Sequence, residues 1–501
     1  MKTVEPATSA SFSTAQTGRS VRSYCQGMLP LTAKLEPWIA ELCQSTILPE
    51  LAQEHGSPLN VLNTQPFERN AKALYDVAEA QGLDFDVYFA RKANKCLAFV
   101  ETAKNQGYGV DTASIQELQQ VLAYQVPPEK IICTAAVKSE ALLRLCIEAG
   151  VTIAVDHLDE LMQTVILAEQ LNQRADIAVR VSGFQHQGAR LPSRFGFDLD
   201  EILPLIEDLQ NASPHCLQYL NLIGVHFHLD GYCQAQRVSA IQQLLPLIDE
   251  LRSRDFPVRF LDIGGGFPMS YLESETEWDT FWQTHRRALL GEHRPLTYRN
   301  HGLGLTAIDG TLIGKPNCYP YYQSPVQANW LEGILTSECE AGTIADSLRK
   351  RQIQLRCEPG RSLLDGCGFT AARVEFRKQL PTGDWLIGLS MNRTQCRTSS
   401  DDFLVDPLLI PATEDSPLPR TPEGISGYLV GAYCTESELL SLRKLQFPHG
   451  VGIGDLVVFP NTAGYFMHFL ESRSHQFPLA RNVVYDNDTN QAELDSVETY
   501  L

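Results

Sequence analysis

The chain has 501 residues, 44% of them hydrophobic, enough to bury a large core and to form more than one domain. It carries 41 Lys and Arg against 60 Asp and Glu, a formal net charge of −19 with no basic cluster, which disfavours nucleic acid as a partner. No apolar run approaches the roughly 20 residues of a membrane span, no apolar segment of signal-peptide type opens the chain, and the 13 scattered Cys lack paired CxxC spacings; a cytoplasmic protein with reduced thiols is expected.

Residues 1–22 are rich in Ser and Thr and read as a disordered N-terminus. Residues 23–58 form a lead-in, either helical or adding strands to a later β domain. A barrel is expected over 59–367, because from about residue 85 short apolar runs alternate with helix-patterned stretches. The runs lie at 87–93, 107–113, 131–136, 151–156, 177–183, 222–229, 259–264 and 353–358. Amphipathic segments between them include 139–149, 158–172, 199–211 and 234–253. Strand-then-helix repetition implies parallel strands joined by right-handed crossovers, and eight units close most naturally into a TIM-type (β/α)8 barrel. An insertion at 268–350, with a Gly-, Tyr- and Pro-rich stretch at 298–329, reads as an elaboration over the barrel mouth. From 368 to 501 strand-like runs at 369–376, 384–389, 427–430 and 455–459, separated by Pro and Gly, indicate a C-terminal, mostly β domain. The fold class is therefore α/β with a β domain appended.

In such a barrel functional residues sit at the C-terminal ends of several strands. The polar residues there are Lys92, Asp111, Arg180, His228, the Gly264-Gly265-Gly266 loop and Glu358. Lys92 ends the run Val87-Tyr88-Phe89-Ala90-Arg91. A lysine buried there would lose its proton readily and could form a Schiff base with an aldehyde, whereas a lysine at a strand end also commonly snorkels to water. The three glycines after Asp262-Ile263 suit either a tight turn or a nest of backbone N–H groups converging on a phosphate. Glu358-Pro359-Gly360-Arg361 either forms a surface ion pair or brings a carboxylate into the barrel and a guanidinium to a phosphate. His226 and His228 share a strand face, but no third ligand is evident and no metal is expected; His228 can instead stack on an aromatic ring, and His226 can be a core histidine.

Taken together, Tyr88–Asn94, Gly109–Ser114 with Glu117, His226-Phe227-His228, Asp262–Pro268, Glu358–Arg361, Gly431-Ala432-Tyr433-Cys434 and Ala463-Gly464-Tyr465 resemble, in order, the motifs of fold-type III pyridoxal-phosphate decarboxylases. The likeness is to the diaminopimelate/ornithine decarboxylase type, and the 392–397 segment and long insertion are similar to its divergent y4yA-like branch. The resemblance implies pyridoxal 5'-phosphate as cofactor. It implies that Lys92 holds it as an aldimine, that His228 stacks on the pyridine, and that Gly264, Gly265, Gly266, Gly360, Arg361 and Tyr465 bind the phosphate. Asp111 and Arg180 match polar residues lining the family's site. Glu358 would pair with the pyridine nitrogen and stabilise a quinonoid.

Cys434 matches a residue that reaches the site from a partner subunit and reprotonates Cα, so a homodimer with shared active sites is implied. The activity implied is decarboxylation of an amino acid or amino-acid conjugate by a carboxy-lyase, with catalytic residues Lys92, Glu358 and Cys434. A racemase or epimerase, another pyridoxal-phosphate biosynthetic enzyme, and a non-catalytic homologue are the alternatives. Two departures from the family stand out. Leu229-Asp230-Gly231 replaces a Gly-Ser whose hydroxyl binds phosphate. The acidic substrate motif becomes Cys434-Thr435-Glu436-Ser437-Glu438, leaving Arg393, Arg397 and Glu438 as substrate-binding candidates.

Overall fold

Eight parallel strands close on themselves in the computed structural model, which describes residues 20–212, 214–340, 342–398, 403–412 and 418–500. They are β1 (Phe85–Ala90), β2 (Gly109–Thr112), β3 (Ile131–Cys133), β4 (Thr152–Val155), β5 (Ala175–Ser182), β6 (Leu220–Phe227), β7 (Phe260–Asp262) and β8 (Gln354–Cys357). Each pairs in parallel with the next, β8 returns to β1, and the barrel is complete. All eight correspond to the runs read from the sequence. The disordered reading of residues 1–22 lies outside the described residues except at its end, where Val21–Ser23 forms a short turn with Val21 buried.

The interior of the barrel's N-terminal half is filled by Tyr88, Ile132 and Ala154 on one side and Ala178, Ile223 and Phe260 on the other, all buried. Two rings dominate this packing, so facing positions must be small: a Cβ on Gly224 would lie 2.1 Å from the Phe260 ring. The Arg356 guanidinium stacks 3.7 Å above the Phe260 ring and 5.1 Å from that of Tyr88. With that end plugged, the cavity that holds Lys92, His228 and Glu358 lies at the strands' C-terminal ends.

The second sheet system is built around the long strand Gly368–Gln379. Its first half pairs antiparallel with Leu59–Leu62 and Leu456–Phe459, and its second half with Trp385–Leu389. Leu59–Leu62 is therefore a strand of this sheet, not the start of the barrel, and the expected boundary at residue 59 shifts toward the helix Gln65–Ala80. The lead-in joins the same unit: Gln26–Gly27 pairs with Leu445–Phe447, and the helices Pro37–Gln44 and Ile47–His55 bury Trp38, Ile39, Leu48 and Leu51 against the sheet. Strands Leu408–Ile410, Ile425–Val430, Arg481–Asp486 and Gln491–Leu494 complete it.

The insertion divides between the two units. Met269, Tyr271, Phe281, Trp282, Tyr319 and Tyr321 share a core with Val374, Leu429, Phe459 and Phe466 of the β unit. The helices Gln327–Leu335 and Ile344–Arg351 instead join the barrel's outer layer, burying Trp330, Leu331, Ile344 and Leu348. Burying a side chain the size of Trp330 contributes roughly 2–3 kcal/mol, so this segment is structural packing as well as elaboration at the mouth. Among the described residues no helix is long and apolar enough to cross a membrane.

Candidate active site

At the C-terminal end of β1 the chain makes a single 3-10 turn, Arg91–Ala93, that aims Lys92 inward. The turn is tied down by Arg91, itself buried, which donates to the carbonyls of Asn94 and Cys96 and to the Gln120 side chain. Asn94 donates to Ala463 O at 2.9 Å and Tyr465 N–H to Ala93 O at 2.8 Å, so the β unit braces the turn from the other side. Tyr465 takes up a left-handed conformation (φ 72°) there, a strained choice for an aromatic residue that the bracing maintains.

Lys92 Nζ donates to Asp111 Oδ2 at 2.7 Å and lies 3.9 Å from Glu358 Oε2. Asp111, on β2 and buried, also accepts from Thr134 Oγ1 at 2.5 Å. Burial alone would lower the Lys92 amine, but Asp111 and Glu358 hold it well above its ordinary value. In the free protein Lys92 is thus a firmly kept ammonium, and the expectation that burial strips its proton is reversed, because its carboxylate partners outweigh the desolvation. Burial raises Asp111, with Lys92 and Thr134 opposing.

Glu358 follows β8. Burial raises its carboxyl, against the pull of Lys92 and Arg180, and its Oε1 has no hydrogen-bond partner. His226, wholly buried, has Nε2 3.3 Å from that Oε1. Asp262, at the end of β7, completes a cluster in which one ligand-type atom of each residue lies within 4.8 Å of the others. Burial pushes Asp262 well up and His226 well down, which favours the uncharged form of each. This third partner for His226 was invisible in the sequence, and the two histidines do not converge as a half-site: His228 faces the cavity while His226 lies beneath it. Arg180, also buried, donates to Asp156 Oδ1 at 3.4 Å and lies 4.2 Å from the Phe195 ring; it acts on Glu358 and His226 through its charge.

A cavity of about 230 Å³ opens above these groups, lined by Lys92, His228, Leu229, Asp230, Gly231, Tyr232, Gly265, Gly266, Phe267, Glu358, Gly360, Arg361, Thr398, Tyr465 and Phe469. The glycine loop differs from the nest read in the sequence. Gly264 N–H donates to Asp262 Oδ1 at 2.8 Å and Gly265 N–H to His228 Nδ1 at 3.3 Å, so two of the three amides are engaged within the protein. The glycines' other service is closeness: a Cβ on Gly265 would stand 2.9 Å from Glu358 O, and one on Gly360 would stand 2.5 Å from the Tyr465 hydroxyl.

Arg361 is a second cation of this cavity, beside Lys92. It donates through Nη1 to the Tyr271 hydroxyl at 2.8 Å and to Gly464 O at 3.1 Å, and its guanidinium lies 4.3 Å from the Tyr319 ring centre. The groups acting on it are tyrosines; among the described residues no carboxylate pairs with it. A guanidinium held away from water without an anionic partner is costly, and an anion beside it relieves that cost. A phosphate at Arg361, an aldehyde at Lys92 and a ring nitrogen at Glu358 fit the cation, the amine and the carboxyl that line this cavity.

The substrate candidates are arranged otherwise. Arg393 N–H donates to Glu438 Oε1 at 2.8 Å, its Nε lies 3.7 Å from Oε2, and its Nη1 donates to Ser437 O at 3.1 Å. Arg397 donates to Leu439 O at 3.3 Å. Glu438 is buried and pairs with Arg393 within one chain, and neither residue is part of the cavity wall. Thr398 of the same segment does line it, while Ser399–Asp402 lies outside the described residues. Cys434 is exposed on the loop after the strand Ile425–Val430 and is not part of this chain's cavity wall. Sequence reasoning missed Thr134, Tyr232, Tyr271, Tyr319 and Thr398; only the tyrosine-rich stretch 298–329 hinted at one of them, Tyr319.

Residues 67–295 match the pyridoxal-binding domain of the pyridoxal-dependent decarboxylases. The chain is 29% identical over 443 residues to the uncharacterized protein y4yA of Sinorhizobium fredii, covering 86% of this chain and 88% of that one. It is 25% identical over 435 residues to a diaminopimelate decarboxylase of Vibrio cholerae, covering 83% and 85%. The fold is shared with a diaminopimelate decarboxylase from Helicobacter pylori solved with L-lysine, at a TM-score of 0.61 and 19% identity over 89% of this chain and 95% of that one.

Proposed function

From the premise that this chain carries the pyridoxal-binding domain of the pyridoxal-dependent decarboxylases, with pyridoxal 5'-phosphate as the cofactor that domain implies, we propose that it decarboxylates an amino acid or amino-acid conjugate. The observation that carries the reading is Glu358: a buried carboxyl that lines the cavity, with Oε2 3.9 Å from the Lys92 amine. When bound, pyridoxal phosphate supplies an electron sink for the pair left at Cα as CO2 departs. Each of the chain's own groups has a task in that chemistry.

Lys92 would bond the cofactor through Nζ once its ammonium has shed a proton, and Asp111, 2.7 Å away, would hold that ammonium until then. Glu358 would keep a proton at the pyridine nitrogen, where an arginine would leave that nitrogen neutral; this favours decarboxylation over racemisation. His226, with Nε2 3.3 Å from Glu358 Oε1, and Asp262 lie behind Glu358. His228, oriented by the Gly265 amide, would lie against the ring, and Arg361 would meet the phosphate. Cys434, exposed on its own chain, would deliver a proton to Cα in the cavity of a second copy, which requires a homodimer. The Arg393–Glu438 pair disfavours Glu438 as the acid that selects a basic substrate.

The test is a screen for CO2 release by purified holoenzyme across basic, acidic and conjugated amino acids. Release that depends on Lys92 supports the reading. Solvent deuterium entering Cα without CO2 would make the chain a racemase or epimerase instead.

A further inference from the structure

Resting on the pyridoxal-phosphate reading above, we infer that the Tyr232 hydroxyl is a phosphate ligand of this chain, held in donor orientation by Tyr319 of the insertion. The segment after β6 reads Leu229-Asp230-Gly231-Tyr232, and its first three residues offer no side-chain donor. Gly264 and Gly265 have turned their amides to Asp262 and His228. An anion beside Arg361 therefore draws on fewer backbone donors than the glycine loop suggests. Tyr232 lines the cavity with Gly231, Gly266, Gly360 and Arg361, and its hydroxyl is close enough to act on Arg361 and Tyr465.

The direction of its proton follows from a chain of donors. Gln323 Nε2 donates to the Tyr319 hydroxyl at 2.9 Å, so the Tyr319 O–H is free to be given onward. Tyr319 and Tyr232 meet edge to face at 5.7 Å, with their hydroxyls in hydrogen-bonding reach. Tyr232, accepting from Tyr319, points its own O–H into the cavity. Tyr271, from the same insertion, takes one Nη1 hydrogen of Arg361, and the Gly464 carbonyl takes the other. Among the described residues the Nη2 and Nε edge of that fork is left for the anion. The insertion is thus part of the anion site and not only a cover over it.

The experiment measures cofactor retention during dialysis of holoprotein, with the phosphorus NMR shift of the bound phosphate, for wild type, Tyr232→Phe, Tyr319→Phe and Tyr322→Phe. A hydrogen bond to a charged group is worth about 1.5–3 kcal/mol, or roughly ten- to a hundredfold in retention. Tyr232→Phe is expected to lose pyridoxal phosphate about tenfold faster or more and to shift the phosphorus signal. Tyr319→Phe should do so more weakly and Tyr322→Phe not at all. Pyridoxal, which lacks the phosphate, should bind wild type and Tyr232→Phe alike. Equal retention and an unchanged phosphorus signal in Tyr232→Phe would overturn the assignment, as would an equal loss in Tyr322→Phe or an equal loss of pyridoxal. Failure of the wild type to bind pyridoxal phosphate would instead sink the reading on which it rests.

Discussion

Lys92 and Asp111 form an ion pair 2.7 Å long at the mouth of the barrel, between a turn after β1 and the interior face of β2. The pair explains why an amine so placed stays charged, and it sets the state from which cofactor attachment must begin. A neutral amine is the nucleophile, so the carboxylate that stabilises the ammonium also slows the first encounter.

Removing that carboxylate should expose its effect. In Asp111→Asn the strongest influence raising Lys92 is gone, burial lowers the amine, and a larger fraction is neutral near pH 7. Pyridoxal phosphate should then attach to free protein faster than in wild type, followed by the absorbance of the lysine-bound cofactor. Lys92→Ala should show no such absorbance at all. Slower attachment in Asp111→Asn would mean that Asp111 serves chiefly as the proton acceptor.

Glu358 makes stability depend on pH in a defined direction. Burial raises its carboxyl, so folding takes up a proton; the associated stability is complete below the ordinary 4.5 and is lost as pH rises through the folded value. Glu358→Gln cannot ionise, and its cofactor-free form should gain on wild type progressively above about pH 4.5. Thermal unfolding of the two cofactor-free proteins across that range measures the gap. A difference that stays constant with pH would show that the burial cost is met elsewhere.

The Arg393–Glu438 pair separates a structural role from substrate binding. Glu438→Ala leaves the Arg393 amide without its acceptor and removes the carboxylate beside the guanidinium, and should cost about 1–3 kcal/mol of stability. Glu438→Gln should recover most of that. If Glu438 bound substrate, KM would rise in both variants with little change in unfolding temperature.

Cys434 tests whether cavities are shared between copies. Cys434→Ala should slow product formation while leaving cofactor retention unchanged, since the thiol is exposed and outside its own chain's cavity wall. Mixing inactive Lys92→Ala with Cys434→Ala should restore activity, because one of the two sites in a mixed dimer would carry both native groups. No recovery on mixing, with each variant still dimeric, would argue against a shared site.

Much of this site was legible in the residues themselves. Lys92, Asp111, His228, Glu358 and Arg361 could be found because each is polar where a barrel strand ends, and a buried charge at such a point breaks the apolar pattern around it. Tyr232, Tyr271 and Tyr319 could not, because tyrosine is ordinary core material and nothing in its spacing shows which way a hydroxyl points. The Arg393–Glu438 pair was equally hidden: the two residues are 45 positions apart and meet only because two loops of the β unit pack together.

By itself the sequence determined the eight strands and the end of the barrel that carries the polar residues, since periodicity and isolated charges are local properties that survive in one dimension; the cofactor followed from the likeness of its ordered motifs to a known family. Tertiary structure alone decided the charge state of Lys92, the grouping of His226 with Asp262 and Glu358, the strand Leu59–Leu62 in the second sheet, and the seating of the insertion against Arg361. Each of those depends on which distant groups share a volume of low dielectric, and only the folded chain sets those distances.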